Sequence, residues 1–121
     1  MESYAKEELD ETLYIIESTI SKCERMQLKF AKGTSQYTLL ENRIKSLKIS
    51  KSLMTGEGTL GKFSKQELID ALTPISSIIS KCEKAQEKHS EGTAHYTRLK
   101  KIIKAMYISK ALITDEIGKR G

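Results

Sequence analysis

Two cysteines and two histidines are the residues of this sequence best suited to metal binding or catalysis, namely Cys23, Cys82, His89 and His95. Thiolate and imidazole groups are common zinc ligands, and a histidine with a suitably placed partner can act as a general base. The spacing of Cys82, His89 and His95 matches no standard zinc pattern. No Ser/His/Asp or Cys/His arrangement follows from the spacing. We therefore expect no metal site, no cofactor and no enzymatic activity.

A glycine-rich segment, GEGTLGK at residues 56–62, has the spacing of a phosphate-binding loop up to its lysine. Such a loop needs a serine or threonine directly after the lysine, and it follows a β-strand. Here Phe63 stands in the required position, and the segment before the glycines has the pattern of a helix. We therefore interpret residues 56–62 as a linker.

The chain contains an internal repeat, which this linker joins. Shifting the sequence by 59 positions aligns residues 4–57 with residues 63–116 without a gap, and 26 of the 54 aligned pairs are identical. Each copy has two stretches in which apolar residues recur three or four positions apart, the spacing of one helix face. These stretches predict helices near residues 5–32, 34–55, 64–91 and 93–115.

A Gly-Thr pair separates the two helices of each copy, at residues 33–34 and 92–93. Glycine accepts the left-handed conformation that ends a helix, and threonine can cap the next helix. So short a junction turns the second helix back against the first, which makes an αα-hairpin. The segment from Ser64 to Glu67 also has the spacing of a capping box for the third helix.

Pro74 interrupts the third helix at the position that aligns with Ile15. Inside a helix, proline removes a backbone hydrogen bond and clashes with the carbonyl of Asp70, four residues earlier. The helix then either kinks at Pro74 or ends, with Thr73 capping a fresh start. We favour the kink, because the apolar face continues past the proline without a shift.

Two hairpins with one apolar face each can bury those faces against one another. The predicted fold is all-α, an antiparallel four-helix bundle built from two tandem αα-hairpin repeats with pseudo-twofold symmetry. Residues 1–121 would form a single domain, since the length and the 38% of hydrophobic residues are ordinary for one. No apolar run approaches the roughly 18 residues of a membrane span, and residues 1–4 do not open a secretory signal. We expect a cytoplasmic protein, with a monomer favoured.

The repeat also places Cys23 and Cys82 at equivalent positions on the apolar faces. We predict that both are reduced and buried, because thiols stay reduced in the cytoplasm. A disulfide or redox pair between them is the alternative.

Polar residues agree between the copies as well, among them Gln27 with Gln86 and Lys51 with Lys110. This agreement has three explanations. The duplication is recent, or the polar residues fix the register of the helices on the apolar face, or both copies share a binding surface.

The net charge of +5 falls in the second copy. Residues 1–60 contain nine basic and nine acidic residues, whereas residues 61–121 contain twelve and seven. The predicted fourth helix has five basic residues and no acidic one between positions 93 and 114, and a tyrosine lies beside them. We predict that this helix binds a partner through Arg98, Lys100, Lys101, Lys104 and Tyr107.

A basic helix of this kind either presents a solvated face or suits an acidic protein, a nucleic acid or a membrane surface. The expected function is a non-catalytic protein–protein interaction module that binds an acidic or groove-bearing protein partner. Its size and fold class are shared with small bacterial and phage regulators, inhibitors and immunity-type proteins. The alternative is a nucleic-acid-binding protein that uses the basic fourth helix.

Overall fold

The computed structural model describes residues 4–56 and 62–120 of the chain. Within these ranges the protein is all-helical, and its four helices are α1 (Lys6–Gln27), α2 (Ser35–Thr55), α3 (Lys65–Gln86) and α4 (Ala94–Lys119). Each helix packs against the next along the chain, and α4 also contacts α1 and α2. The predicted four-helix bundle is confirmed, while its pseudo-twofold symmetry stays a prediction. Most of the predicted linker, residues 57–61, lies outside the described residues.

The core of the bundle is built from the apolar faces that the periodicity predicts. Six large apolar side chains are fully buried, and every helix contributes at least one: Ile16, Leu47, Leu68, Ile75, Met106 and Ile113. Burying an apolar side chain of this size stabilises a fold by about 1.5–3 kcal/mol. In the part of the chain that the structure describes, no helix has both the length and the hydropathy needed to cross a membrane.

Several polar residues that are identical in the two copies have structural roles. Ser50 and Ser109 are fully buried, and each hydroxyl donates to the carbonyl four residues earlier, at 3.2 and 2.9 Å. Gln27 Nε2 donates to the carbonyl of Tyr37 at 3.4 Å, and the equivalent glutamine of α3 repeats this contact. Lys51 does not fit the register-fixing interpretation, because its side chain is 45% exposed and pairs with Glu17 at 3.2 Å.

The C-terminal ends of three helices differ from the predicted ones, whereas the predicted N-terminal caps are confirmed. Both α1 and α3 end five residues before their predicted limits, and α4 runs four residues beyond its own. After Gln27, the backbone N–H groups of Lys29 and Phe30 bond to carbonyls three residues earlier, in tight turns that do not continue the helix. Phe30, the last apolar residue of the predicted helix face, is 37% exposed and lies beyond the observed end of α1.

The Gly-Thr pairs therefore begin the second helix of each copy and do not end the first. Gly33 and Gly92 have φ angles of +90° and +89° and lie in the loops, directly before the cap residues. Thr34 Oγ1 accepts from the N–H of Tyr37 at 3.2 Å, and Thr93 does the same for the fourth helix.

Helix α3 begins at the predicted capping box and contains Pro74. Ser64 Oγ accepts from Glu67 N at 3.0 Å and Ser64 N donates to Glu67 Oε1 at 2.9 Å, which confirms the capping box. The helix then continues through Pro74 without a break. The interpretation in which Thr73 starts a new helix is therefore wrong.

Candidate functional site

A groove of about 640 Å³ runs between α1 and α4, and we call it the α1/α4 groove. On the α1 side it is lined by Tyr14, Ile15, Ser18, Thr19, Lys22 and Arg25. On the α4 side it is lined by Ala94, Thr97, Arg98, Lys101 and Ile102. These positions recur three or four apart on each helix, so each set forms one helix face beside the buried one. The groove is thus formed by regular helix faces and not by loops.

The floor of the groove is apolar and its rim is cationic. Ile15 and Ile102 are half-buried and pack against the hydrophobic core. The four cations of the lining, Lys22, Arg25, Arg98 and Lys101, are exposed. No acidic residue belongs to the lining, and none of the four cations forms an ion pair within residues 4–56 and 62–120.

The three acidic residues of α1 that form ion pairs do so with lysines outside the groove lining. Glu17 pairs with Lys51 at 3.2 Å, and Glu24 approaches Lys48 at 3.9 Å, both across the contact with α2. Glu8 pairs with Lys104 of α4 at 3.3 Å, beyond one end of the groove. α1 has three basic and six acidic residues; four of the acidic ones lie at its N-terminal end, and the other two, Glu17 and Glu24, pair with α2.

The five residues predicted to bind a partner all lie on α4 and are all exposed. Arg98 and Lys101 line the groove, and Lys104 forms the ion pair with Glu8 at its end. Lys100 and Tyr107 are not part of the lining. Nine residues separate Arg98 from Tyr107, which places them on opposite sides of a helix with about 100° per residue. The predicted surface is therefore divided between the groove and another face.

Three α1 residues of the lining, Tyr14, Lys22 and Arg25, were not among the residues predicted to bind a partner. Tyr14 is the most exposed aromatic side chain of the described chain, at 73%. Summing charge over a whole helix hides such residues, because opposite charges on different faces cancel. On the groove face of α1, a count limited to the stretch from Tyr14 to Arg25 gives two cations and no carboxylate, whereas the whole face also contains Glu11, three residues before Tyr14.

Charge is also distributed unevenly along the bundle. We call the part formed by residues 18–44 and 77–103 the turn end, because it contains both Gly-Thr turns. The turn end has eleven basic and five acidic residues, whereas the other described residues have ten and nine. The α1/α4 groove opens largely onto this basic half of the protein.

The seam between α2 and α3 provides an internal comparison. A groove of about 570 Å³ lies there, and its lining contains Lys45 and Lys48 but also Glu67 and Asp70. Opposite charges in the same lining offset one another, so this second groove lacks the single sign of charge found between α1 and α4. Of these two grooves, only the α1/α4 groove presents uncompensated positive charge.

The two cysteines lie in the turn end but do not form a pair. Both thiols are free. Cys23 is buried as predicted, whereas Cys82 is only half-buried, so the prediction that both are buried is wrong for Cys82. No Cα atom of α1 lies within 8 Å of a Cα atom of α3. A disulfide needs Cα atoms no more than about 7 Å apart. A bond between Cys23 and Cys82 would therefore require backbone movement.

Burial raises the pKa of both thiols, because the thiolate is poorly solvated inside the protein. The cations Arg43, Lys22 and Lys81 act in the opposite direction on both groups but do not outweigh burial. Since the thiolate is the reactive form, this environment does not activate either cysteine as a nucleophile.

The two histidines lie together at the second turn. The rings of His89 and His95 stack with centroids 4.9 Å apart and planes inclined by 19°, and both residues are exposed. Among the described residues, no group of three or more His, Cys, Asp or Glu side chains could hold a metal ion. Cys82, His89 and His95 accordingly do not form a metal site in this structure.

Comparisons of the chain with protein-family models, with curated proteins and with solved structures returned no match.

Proposed function

We propose that this protein is a non-catalytic protein–protein interaction module whose α1/α4 groove binds an acidic segment of its partner. The observation that carries this proposal is the lining, in which four unpaired cations surround an apolar floor and no carboxylate is present. Such a lining complements a segment that combines carboxylates with apolar side chains.

The composition of the groove favours binding over catalysis. Its lining contains no Asp, Glu, His or Cys, which are the side chains that most often act as general bases or nucleophiles. The hydroxyls of Ser18, Thr19 and Thr97 have no such base beside them in the lining. The groove would therefore recognise a partner by its positive charge and its shape.

The apolar floor also favours a protein over a nucleic acid. Phosphate contacts need exposed cations alone, whereas Ile15 and Ile102 offer apolar surface between the cations. Single-stranded nucleic acids bind on aromatic platforms, and Tyr14 is the only aromatic residue in the lining. Nucleic-acid binding through the basic helix α4 is therefore the outcome against which the proposal is tested.

The test uses two double variants with the same change in charge. K22E/R25E reverses two groove cations, and K81E/K84E reverses the residues at the equivalent positions of the second copy, which are exposed and lie outside the groove lining. Native protein and both variants are immobilised and exposed to extract of the source cells, with and without nuclease treatment. Bound proteins are identified by mass spectrometry, and the melting temperature of each variant is measured.

We expect one acidic protein to bind the native chain and the K81E/K84E variant, and to be lost with K22E/R25E at an unchanged melting temperature. Equal loss with both variants would mean that general positive charge, and not the groove, binds the partner. Binding that disappears after nuclease treatment would replace the proposal with nucleic-acid recognition.

A further inference from the structure

We infer that the segment bound in the α1/α4 groove is an amphipathic acidic α-helix of about three turns. This inference rests on the proposed function and adds the conformation of the bound segment. It follows from the length of the groove, from the state of the backbone along its walls and from the arrangement of its charges.

The length of the groove matches a short helix. Along α1 the lining runs from Tyr14 to Arg25. At 1.5 Å per residue this distance is about 16 Å, which corresponds to about three helical turns. Three turns present three or four side chains on one face, enough to cover Tyr14, Ile15 and Ile102 with apolar groups.

The walls of the groove offer no row of free backbone groups to an extended segment. Both walls are helices, α1 and α4, and every lining position except Ala94, the first residue of α4, lies inside them, where backbone N–H and C=O groups bond within the helix. A bound strand has no sheet edge here and would leave its own N–H and C=O groups unpaired over the apolar floor. A helix satisfies these groups internally and can approach the floor with side chains alone.

The charges lie on both sides of the floor. Lys22 and Arg25 belong to the α1 wall, and Arg98 and Lys101 belong to the α4 wall. A helix seated between the walls would meet them with carboxylates on both flanks of its apolar stripe. A segment with carboxylates on one flank would leave the cations of one wall without a counter-charge. The expected ligand therefore has an apolar stripe bordered by Asp or Glu on each side.

The probes for this inference are two phage-displayed libraries of 16-residue peptides with the same content of Leu, Glu and variable positions. In the helical library, Leu recurs three or four positions apart and Glu flanks this stripe. In the extended library, Leu and Glu alternate and a central proline prevents helix formation. Both libraries are selected on the native protein, and the enriched peptides are titrated by fluorescence anisotropy against native, K22E/R25E and K81E/K84E proteins.

We expect enrichment from the helical library, with affinity at least tenfold lower for K22E/R25E and unchanged for K81E/K84E. A proline placed in the middle of an enriched peptide should weaken its binding at least tenfold, and Tyr14→Ala should weaken it without lowering the melting temperature. Circular dichroism should show that the peptide gains helix when it binds.

Two results would overturn the inference in different ways. If only extended peptides are enriched and they depend on Lys22 and Arg25, the bound conformation is wrong while the proposed protein-binding groove stands. If neither library yields a peptide sensitive to K22E/R25E, the groove does not bind acidic segments, and the proposed function fails together with the inference.

Discussion

Arg43 Nη2 donates a hydrogen bond to Ser77 Oγ at 3.3 Å, which joins α2 to α3 at a buried position. Arg43 is only 8% exposed, its Nε has no hydrogen-bond partner, and it forms no ion pair within the described residues. The equivalent position of the second copy holds Ile102, which packs against the core. One copy thus places a charge where the other places an apolar side chain.

Replacing Arg43 with methionine should raise the free energy of unfolding by about 1 kcal/mol, because a buried charge without a counter-charge loses hydration that one hydrogen bond does not restore. Urea denaturation measures this change. Arg98→Met at the exposed groove rim is the matched control and should stay within about 0.5 kcal/mol of the parent. A loss of stability in R43M would show that the contact with Ser77 outweighs the cost of burial.

Pro74→Ala should stabilise the protein by about 1–3 kcal/mol. Alanine restores the backbone N–H that proline lacks and removes the clash with the preceding turn. The gain is limited because proline also restricts the unfolded chain. Thermal and urea unfolding measure the effect, and exposed Thr73→Ala serves as the neighbouring control. An unchanged or lower stability of P74A would mean that α3 has already accommodated the proline at no cost.

Alanine at Gly33 or at Gly92 should each lower the free energy of unfolding by about 1–2 kcal/mol, since both residues have positive φ angles. An added Cβ atom would meet nothing within 4 Å at either site, so the cost comes from backbone conformation alone. Gly118→Ala is the control, because Gly118 lies within α4 without a positive φ and also has open space. That change should stabilise by about 0.5 kcal/mol. Equal effects at the three sites would contradict this assignment.

Cys82 should react with a thiol reagent faster than Cys23, because Cys82 is half-buried and Cys23 is buried. Since burial raises the pKa of both thiols above the ordinary value of 9.0, their labelling rates should still increase above pH 9. Single-cysteine variants separate the two rates. Labelling of native Cys23 as fast as in urea would contradict the described burial.

The same pKa direction predicts how stability depends on pH. The folded state holds the thiol protons more tightly than the unfolded state does, so the contribution of both thiols is complete below about pH 9. It is lost as the pH rises through the folded-state pKa values. Replacing both cysteines with alanine should remove this part of the alkaline decline, whatever the change in stability at neutral pH.

Mild oxidation of the native protein should not produce a bond between Cys23 and Cys82. The Cα atoms of α1 and α3 are more than 8 Å apart, beyond the range that a disulfide spans. Mass spectrometry of peptides digested under non-reducing conditions tests this expectation, and oxidation in urea provides the control. A Cys23–Cys82 peptide from the native protein would mean that the bundle opens between these helices.

The four helices could be predicted from the sequence, because the caps and the apolar spacing that indicate a helix each involve residues only a few positions apart. Ser64 and Glu67 form the capping box, and Thr34 and Thr93 cap their helices as expected. The C-terminal helix ends were less predictable, because the apolar spacing of α1 continued to Phe30, past the observed end of the helix at Gln27, into a segment of tight turns. Periodicity alone does not distinguish a buried position from an exposed one beyond the end of a helix.

The candidate site depended on contacts between helices that are distant in sequence. Arg98 and Lys101 could be found because their helix is basic as a whole, whereas Lys22 and Arg25 are offset in sequence by carboxylates that face α2. Likewise, Cys23 and Cys82 are equivalent in the repeat but differ in burial. About half of the aligned positions differ between the copies, so equal residues need not have equal surroundings.

The concentration of basic residues at the turn end gives the bundle an electric moment along its helix axes. When an anionic molecule comes within about 8–10 Å, the Debye length at physiological salt, the bundle experiences a torque that rotates its turn end toward that molecule. Encounters are then oriented before the surfaces touch, and added salt slows association by shortening that range. Orientation before contact is therefore a property of the whole bundle, determined by where its charges lie along the helices.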